Sequence, residues 1–150
     1  MKKVIAFFAG LLLLLASCAV KTPTADVSDP SALYEAIADA AGISDMLALN
    51  EEELLYMIGV EPDQYVAYAA YTASNGTSPE EILIFRASDE ASKEQILETL
   101  QNRLRYKQNS AAQYLTENQG ILRDGVVRAD GLTVSLLVVE DITAALSVYP

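Results

Sequence analysis

Two β-hairpin patterns constrain the fold of this chain more than any other feature of its sequence. In the first, residues 64–73 (QYVAYAAYTA) alternate in character, and the turn-forming Ser74-Asn75-Gly76-Thr77 follows them. The next run, EEILIFRAS, is rich in β-branched and aromatic residues, which favour strands. This order predicts an antiparallel hairpin that pairs roughly Tyr65–Thr72 with Glu81–Ala87.

The second hairpin pattern lies in residues 121–140 (ILRDGVVRADGLTVSLLVVE). Asp130-Gly131 is a strong signal for a tight turn between two strands. Gly125 falls inside the first of these strands and indicates a bulge or a local turn there. The apolar run Leu132–Val139 is expected to form a central strand of the sheet.

A long amphipathic helix is predicted between the hairpins, from about Glu90 to Asn109, after a cap at Ser88-Asp89. Its apolar stripe suits packing on a sheet and comprises Ile96, Leu97, Leu100 and Leu104. Its charged residues are interpreted as a solvated face: Lys93, Glu94, Glu98, Arg103 and Arg105.

Shorter helices are predicted on either side of this central region. Asp29-Pro30 is a good helix start, and Gly42 is a good helix end. Asn50, with Glu53 three residues on, resembles a capping box, and Asp141 is expected to cap a last helix, Ile142–Val148. The resulting order is α-α-β-β-α-β-β-α. It predicts an α+β fold with a four-stranded, mainly antiparallel sheet and helices on one face.

The amino-terminal segment has the features of a secretory signal peptide. Lys2 and Lys3 precede an apolar run, Val4–Leu15, and small residues follow it. A helix over residues 4–17 would extend only about 21 Å. Because a bilayer core requires about 30 Å, this segment is too short to span it, and no later segment is predicted to do so.

Leu15-Ala16-Ser17-Cys18 reads as a lipobox, the site at which an exported bacterial precursor becomes a lipoprotein. That resemblance implies a diacylglyceryl thioether on Cys18 and cleavage between Ser17 and Cys18. A signal peptide that merely contains a cysteine is the alternative. Cys18 is the single cysteine, so no intrachain disulfide can form. We expect a signal peptide (residues 1–17), a lipidated tether (18–29) and one domain (30–150), held at the extracytoplasmic face of the cell membrane.

Charge restricts the partners of the mature chain. Removal of 17 of the 150 residues leaves 133, with 8 basic and 21 acidic groups and a formal charge of −13. Such a surface disfavours nucleic acid, whose phosphates require a basic footprint. The membrane, through the lipid, and an envelope protein or cationic ligand are the partners predicted. Acidity that serves only solubility is the alternative.

The sequence predicts no cofactor, no metal site and no catalytic residue. Histidine is absent, which removes the commonest general base and the commonest transition-metal ligand. A carboxylate-based hydrolase of envelope material remains open, although no spacing selects two carboxylates. A cation-binding protein is a further alternative, with these acidic residues: Glu51, Glu52, Glu53, Glu61 and Asp63. For Glu51, Glu52 and Glu53 the preferred interpretation is the first turn of a helix, where the helix dipole favours negative charge.

Three tyrosines of the first hairpin are the candidate contact residues. Tyr65 and Tyr71 are expected on one strand face and Tyr68 on the other, because side chains alternate along a strand. Such rings form either an aromatic binding patch or half-buried packing at the margin of the sheet.

The chain resembles small exported bacterial lipoproteins of the domain-of-unknown-function family 4358. The matching parts are the lipobox, EEILIFRA, SKEQILETLQNRLR and GVVRADGLTVSLLVV. These motifs are structural, so the resemblance implies a fold and carries over no active-site residue. Lipid anchor, tether and small domain together predict a membrane-anchored binding or protein-interaction module of unknown ligand.

Overall fold

The computed structural model describes residues 26–111 and 116–150, which form an antiparallel sheet with five helices. The strands are β1 (Met46–Ala48), β2 (Tyr65–Ala73), β3 (Glu81–Ala87), β4 (Val126–Asp130) and β5 (Thr133–Val138). The helices are α1 (Pro30–Ala40), α2 (Glu51–Glu53, continued by a π-helical turn over Leu54–Ile58), α3 (Glu90–Ser110), α4 (Thr116–Arg123) and α5 (Ile142–Leu146). The strand order is β1-β2-β3-β5-β4. The α+β class is confirmed.

Both predicted hairpins are present. Strands β2 and β3 pair antiparallel, with Thr72 opposite Glu81 at the end next to the turn. Strands β4 and β5 pair with Asp130 opposite Thr133. Their loop contains Gly131 at a φ of 58°, a left-handed conformation that glycine adopts at little cost. Strand β5 is buried along its whole length and is central, as expected.

The prediction of four strands is wrong, because a fifth strand, β1, lies on the outer edge of β2. Met46 is opposite Ala73 and Ala48 is opposite Tyr71. Three residues are too few to show an alternating pattern, so no sequence signal marks this strand. Its position is fixed instead by β2, including a backbone hydrogen bond from Ser74 N–H to the Asp45 carbonyl (2.9 Å).

Helices cover both faces of the sheet, so the prediction of one covered face is also wrong. Leu83, Phe85 and Leu136 belong to one core, with α2, α3 and α4, and we call this side the α3 face. Alternate residues of the same strands, Ile82, Ile84 and Leu137, belong to a second core, with α1 and α5; we call this the α1 face. Both sides of β3 and β5 are therefore mainly apolar, which explains the continuous hydrophobic runs Ile82–Phe85 and Leu136–Val138.

The segment before β4 is a helix and not the start of a strand. Residues 121–123, expected in the strand, form the end of α4, and Gly125 precedes β4. A Cβ at Gly125 would lie 3.0 Å from Leu104 Cδ1 and 3.1 Å from Val138 Cγ2. The glycine thus permits close packing of the α4–β4 junction against the core. Of the two predicted features, the local turn is present, since Gly125 N–H donates to the Leu122 carbonyl (3.3 Å), and the bulge within the strand is not.

Predicted helix caps are observed at the starts of four helices. The carboxylates of Asp29, Asp89 and Asp141 accept backbone N–H groups of the first turns of α1, α3 and α5. Asn50 and Glu53 form the capping box of α2: Asn50 Oδ1 accepts from Glu53 N–H (3.0 Å), and Glu53 Oε2 accepts from Asn50 N–H (2.8 Å). These contacts depend on local sequence alone.

Candidate functional site

The three candidate tyrosines do not form one patch. Tyr65 and Tyr68 pack on the α3 face, with ring centroids 5.3 Å apart. Tyr71 packs on the α1 face, where it stacks on Tyr34 with centroids 3.6 Å apart and planes within 8°. The prediction that Tyr65 and Tyr71 share a face is wrong. The pairing register of β2 shifts between Tyr65 and Ala67, and this bulge reverses the alternation.

Packing accounts for much of the surface of these rings. All three are half-buried. The Tyr65 hydroxyl is buried and has no hydrogen-bond partner within the described residues. Burial raises the pKa of Tyr65, and the nearby charge of Glu51 raises it further. Tyr65 and Tyr68 therefore contribute first to the core, with Phe85, and only part of each side chain is available to a ligand.

The acidic residues considered for cation binding do not form one cluster, and Glu51, Glu52 and Glu53 make up the first turn of α2. Glu53 is engaged in the α2 capping box. Glu61 and Asp63 line an open polar depression beside Asp89. In residues 26–111 and 116–150, no three Asp, Glu, His or Cys side chains lie close enough together to hold a metal ion.

Carboxylates also line a second open depression, which contains Asp124, Glu140 and Asp141. Backbone N–H donation from Ser92 lowers the pKa of Asp89, and the hydrogen-bonded Arg123 lowers the pKa of Asp124. These two groups are thus held in the ionised form, whereas glycoside hydrolysis requires one carboxyl held as an acid. Neither depression provides an observation that favours the hydrolase.

A buried ion cluster lies where β3 begins. The side chain of Glu81 is 1% exposed, on the α3 face of the sheet. Its Oε2 accepts from Arg103 Nε at 2.8 Å and from Lys107 Nζ at 3.2 Å, and its Oε1 accepts from Arg103 Nη2 at 2.5 Å. We call these three residues the Glu81 cluster. Its two cations come from successive turns of α3, which crosses this end of the sheet.

The cluster contains two positive charges and one negative charge, a formal excess of one positive charge. Lys107 is about one-fifth exposed, and burial lowers the pKa of its ammonium group. The charge of Arg103 lowers the same pKa, while Glu81 opposes both effects. The chain as a whole has a formal charge of −11, so the cluster is a local reversal of the overall charge.

Lys107 lines a small cavity of about 140 Å³. The walls are formed by the turn between β2 and β3, by α3 and by α4: Gly76, Thr77, Ser78, Pro79, Tyr106, Lys107, Ser110 and Leu122. Asn118 Nδ2 donates to the Thr77 carbonyl at 2.6 Å and joins α4 to this turn. The cavity therefore combines an ammonium group, several hydroxyls and an apolar wall, a combination common in small-ligand sites.

Exposed apolar side chains surround the Glu81 cluster. Tyr106, which lines the cavity, is 74% exposed, and Met57 is 56% exposed. The carbonyl of Met57 accepts from Arg103 Nη1 at 2.9 Å, so the π-helical turn of α2 borders the cluster directly. Large aromatic and thioether side chains beside a polar cavity are typical of a contact surface.

Sequence interpretation missed this site. Arg103 was assigned to a solvated face, and neither Glu81 nor Lys107 was selected. A usable signal exists: Arg103 and Lys107 continue the i, i+3/i+4 spacing of the buried Ile96 and Leu100. Glu81 likewise has the same strand parity as Leu83, so all three lie on faces that are predicted to be buried.

The lipobox lies outside the described residues, as does its Cys18. Among the helices of the described part, none has the length and apolar character needed to cross a bilayer.

Comparison with known protein families gives a match. The model of a family described as "Domain of unknown function (DUF4358)" matches residues 39–139, which include the sheet, α3 and the Glu81 cluster. No curated protein and no solved structure matches the chain.

Proposed function

The chain belongs to the DUF4358 family, and from this premise we propose that it is a membrane-anchored binding module of the extracytoplasmic face, with its contact surface around the Lys107 cavity. The anchor is the lipid on Cys18, and residues 18–29 form the tether of the domain, residues 30–150. Fully extended, twelve residues reach at most about 42 Å.

The opposite positions of the tether and of the Glu81 cluster support this proposal. Val27 packs on the α1 face of the sheet, whereas α3, which supplies the two cations of the cluster, packs on the other face. A tether that leads to Val27 would therefore leave the Lys107 cavity and the exposed Tyr106 accessible.

Anchoring is tested by Cys18→Ala. We expect the wild-type chain to incorporate a labelled fatty acid and to sediment with membranes, since two acyl chains hold a protein stably at a bilayer. The variant should incorporate no label and should be released. Equal membrane retention of the unlabelled variant would refute the anchor.

Binding is tested by site-specific photocrosslinking in intact cells. A photoreactive residue at Tyr106 should give a discrete adduct with an envelope component, because this side chain is 74% exposed beside the cavity. Glu98, exposed on the same helix, is the matched control position and should give none. Absence of adducts from Tyr106, or identical adducts from both positions, would contradict contact of this surface with an envelope component.

A further inference from the structure

We propose that the Lys107 cavity is a binding site for a small carboxylate ligand, whose carboxylate contacts Lys107 Nζ. The inference rests on the proposed binding function and specifies the ligand class. It depends on three observations, which are the charge of the Glu81 cluster, the donors of Lys107 and the size of the cavity.

The charge of the cluster favours an anion. Arg103 and Lys107 share one carboxylate, that of Glu81, and no other carboxylate in the described residues forms an ion pair with either cation. The two cations repel each other in a partly buried site. An added negative charge beside Lys107 would balance the cluster and offset this repulsion, whereas a cation would increase it.

The donors of Lys107 are incompletely used. Its ammonium group has three N–H donors. Two acceptors are within hydrogen-bond distance in the described residues: the Pro79 carbonyl (2.9 Å) and Glu81 Oε2 (3.2 Å). A carboxylate oxygen in the cavity would accept the third, and charge-assisted hydrogen bonds of this kind are about twice as strong as neutral ones. Ser110, also in the cavity wall, provides a hydroxyl for the second oxygen, whereas the Thr77 hydroxyl donates to Asn75 Oδ1 (3.1 Å).

The cavity limits the size of the ligand. Its volume of about 140 Å³ is below the roughly 300–1,000 Å³ of pockets for drug-sized ligands. It therefore suits a short carboxylate, such as a three-carbon acid, or the terminal group of a larger molecule. Leu122 provides an apolar wall for the carbon chain, and the exposed Tyr106 lies where a longer ligand would continue. A free acid and the carboxyl end of a peptide are the two sources of this chemistry.

Thermal unfolding of the full lipidated chain in detergent micelles tests the proposal. The probe is sodium propionate, and propionamide of the same shape, in sodium chloride of equal ionic strength, is the uncharged control. We expect propionate to raise the melting temperature by several degrees at concentrations well above its dissociation constant, and propionamide to leave it unchanged. A peptide that ends in a free carboxylate, compared with its amide, separates the two sources.

Lys107→Met keeps the aliphatic stem and removes the charge, so it should abolish the propionate effect. Lys93→Met is the matched control on α3: Lys93 pairs with Glu90 and Glu94, away from the cavity, and this variant should retain the effect. If propionate acts on Lys107→Met as on the wild type, or acts no differently from chloride on the wild type, the carboxylate site is refuted.

The two experiments separate the ligand class from the protein-interaction role. If Tyr106 gives crosslinked partners but propionate has no effect, the ligand class alone is refuted. A propionate effect without crosslinked partners would instead refute the protein-interaction role.

Discussion

Replacement of Glu81 by glutamine should destabilise the domain more than any surface charge change. The substitution preserves the shape of the side chain, which is 1% exposed, and removes the carboxylate that holds Arg103 and Lys107. Two cations then remain close together without a counter-charge. Uncompensated charge in a partly buried site is costly, because the surroundings solvate it poorly.

The size of this loss of stability follows from the exposure of Arg103 and Lys107. Removal of one member of a buried ion pair costs about 3–5 kcal/mol. Arg103 and Lys107 keep 21% and 20% exposure, so water recovers part of this loss. We therefore expect the free energy of unfolding to fall by about 3 kcal/mol, the lower end of that range. For a domain of about 120 residues, whose unfolding entropy is about 0.25 kcal/mol/K, this corresponds to a melting temperature lowered by about 12 °C.

Urea unfolding followed by circular dichroism, together with calorimetry, measures the effect. Glu94→Gln is the control, because Glu94 pairs with Lys93 at the surface and its side chain is 64% exposed. The melting temperature of this variant should stay at the wild-type value. In the Glu81→Gln background, Lys107→Met should restore part of the lost stability, since it removes one unpaired cation. A loss below about 1 kcal/mol for Glu81→Gln, or further destabilisation in the double variant, would refute the electrostatic reasoning.

Three further substitutions test other parts of the fold. Thr133→Val should raise the urea midpoint and the free energy of unfolding, the latter by about 1 kcal/mol, because the Thr133 hydroxyl is buried without a hydrogen-bond partner in the described chain. A lowered midpoint would indicate that this hydroxyl has a hydrogen-bond partner. Gly125→Ala should cost about 1–3 kcal/mol by forcing the core apart, measured in the same way, and an unchanged midpoint would contradict the close packing there. Burial raises the pKa of Tyr149 above that of an unfolded tyrosine, so its contribution to stability is complete below about pH 10 and is lost as the pH rises through the higher folded value. Tyr149→Phe keeps a ring beneath the guanidinium of Arg128. The free energy of unfolding of this variant should fall less steeply above about pH 10 than that of the wild type. If the two free energies fall equally with pH, the assignment to Tyr149 is contradicted.

Features encoded by neighbouring residues were predictable from the sequence. The Asn50 capping box, the Asp89 cap and the Gly131 turn each depend on a few adjacent positions, and all three are present. Helix α3 ends within one residue of its predicted limit, because its buried stripe from Ile96 to Leu104 is long and regular. Local preference and tertiary packing agree in these segments.

Features that depend on distant partners were not predictable. Strand β1 exists because the edge of β2 was available, and the bulge beside Val66 moved Tyr65 to the opposite face from that expected. The Glu81 cluster joins residues 22 and 26 positions apart, so the spacing within α3 and β3 indicates buried positions but not which residues meet. Charged side chains with apolar spacing were interpreted as solvated because an exposed position is their usual location.

The bulge in β2 also bears on strand pairing along the outer edge of the sheet. Strand β1 pairs with Tyr71–Ala73 only, and Leu49 N–H donates to the Ala70 carbonyl. The remaining outer edge of β2 would be a template for strand addition by a second copy, were it straight. The extra residue at Val66, which is 66% exposed, interrupts the regular spacing of hydrogen-bonding groups at that point. Where copies are crowded on a surface, this interruption would oppose the growth of intermolecular sheets.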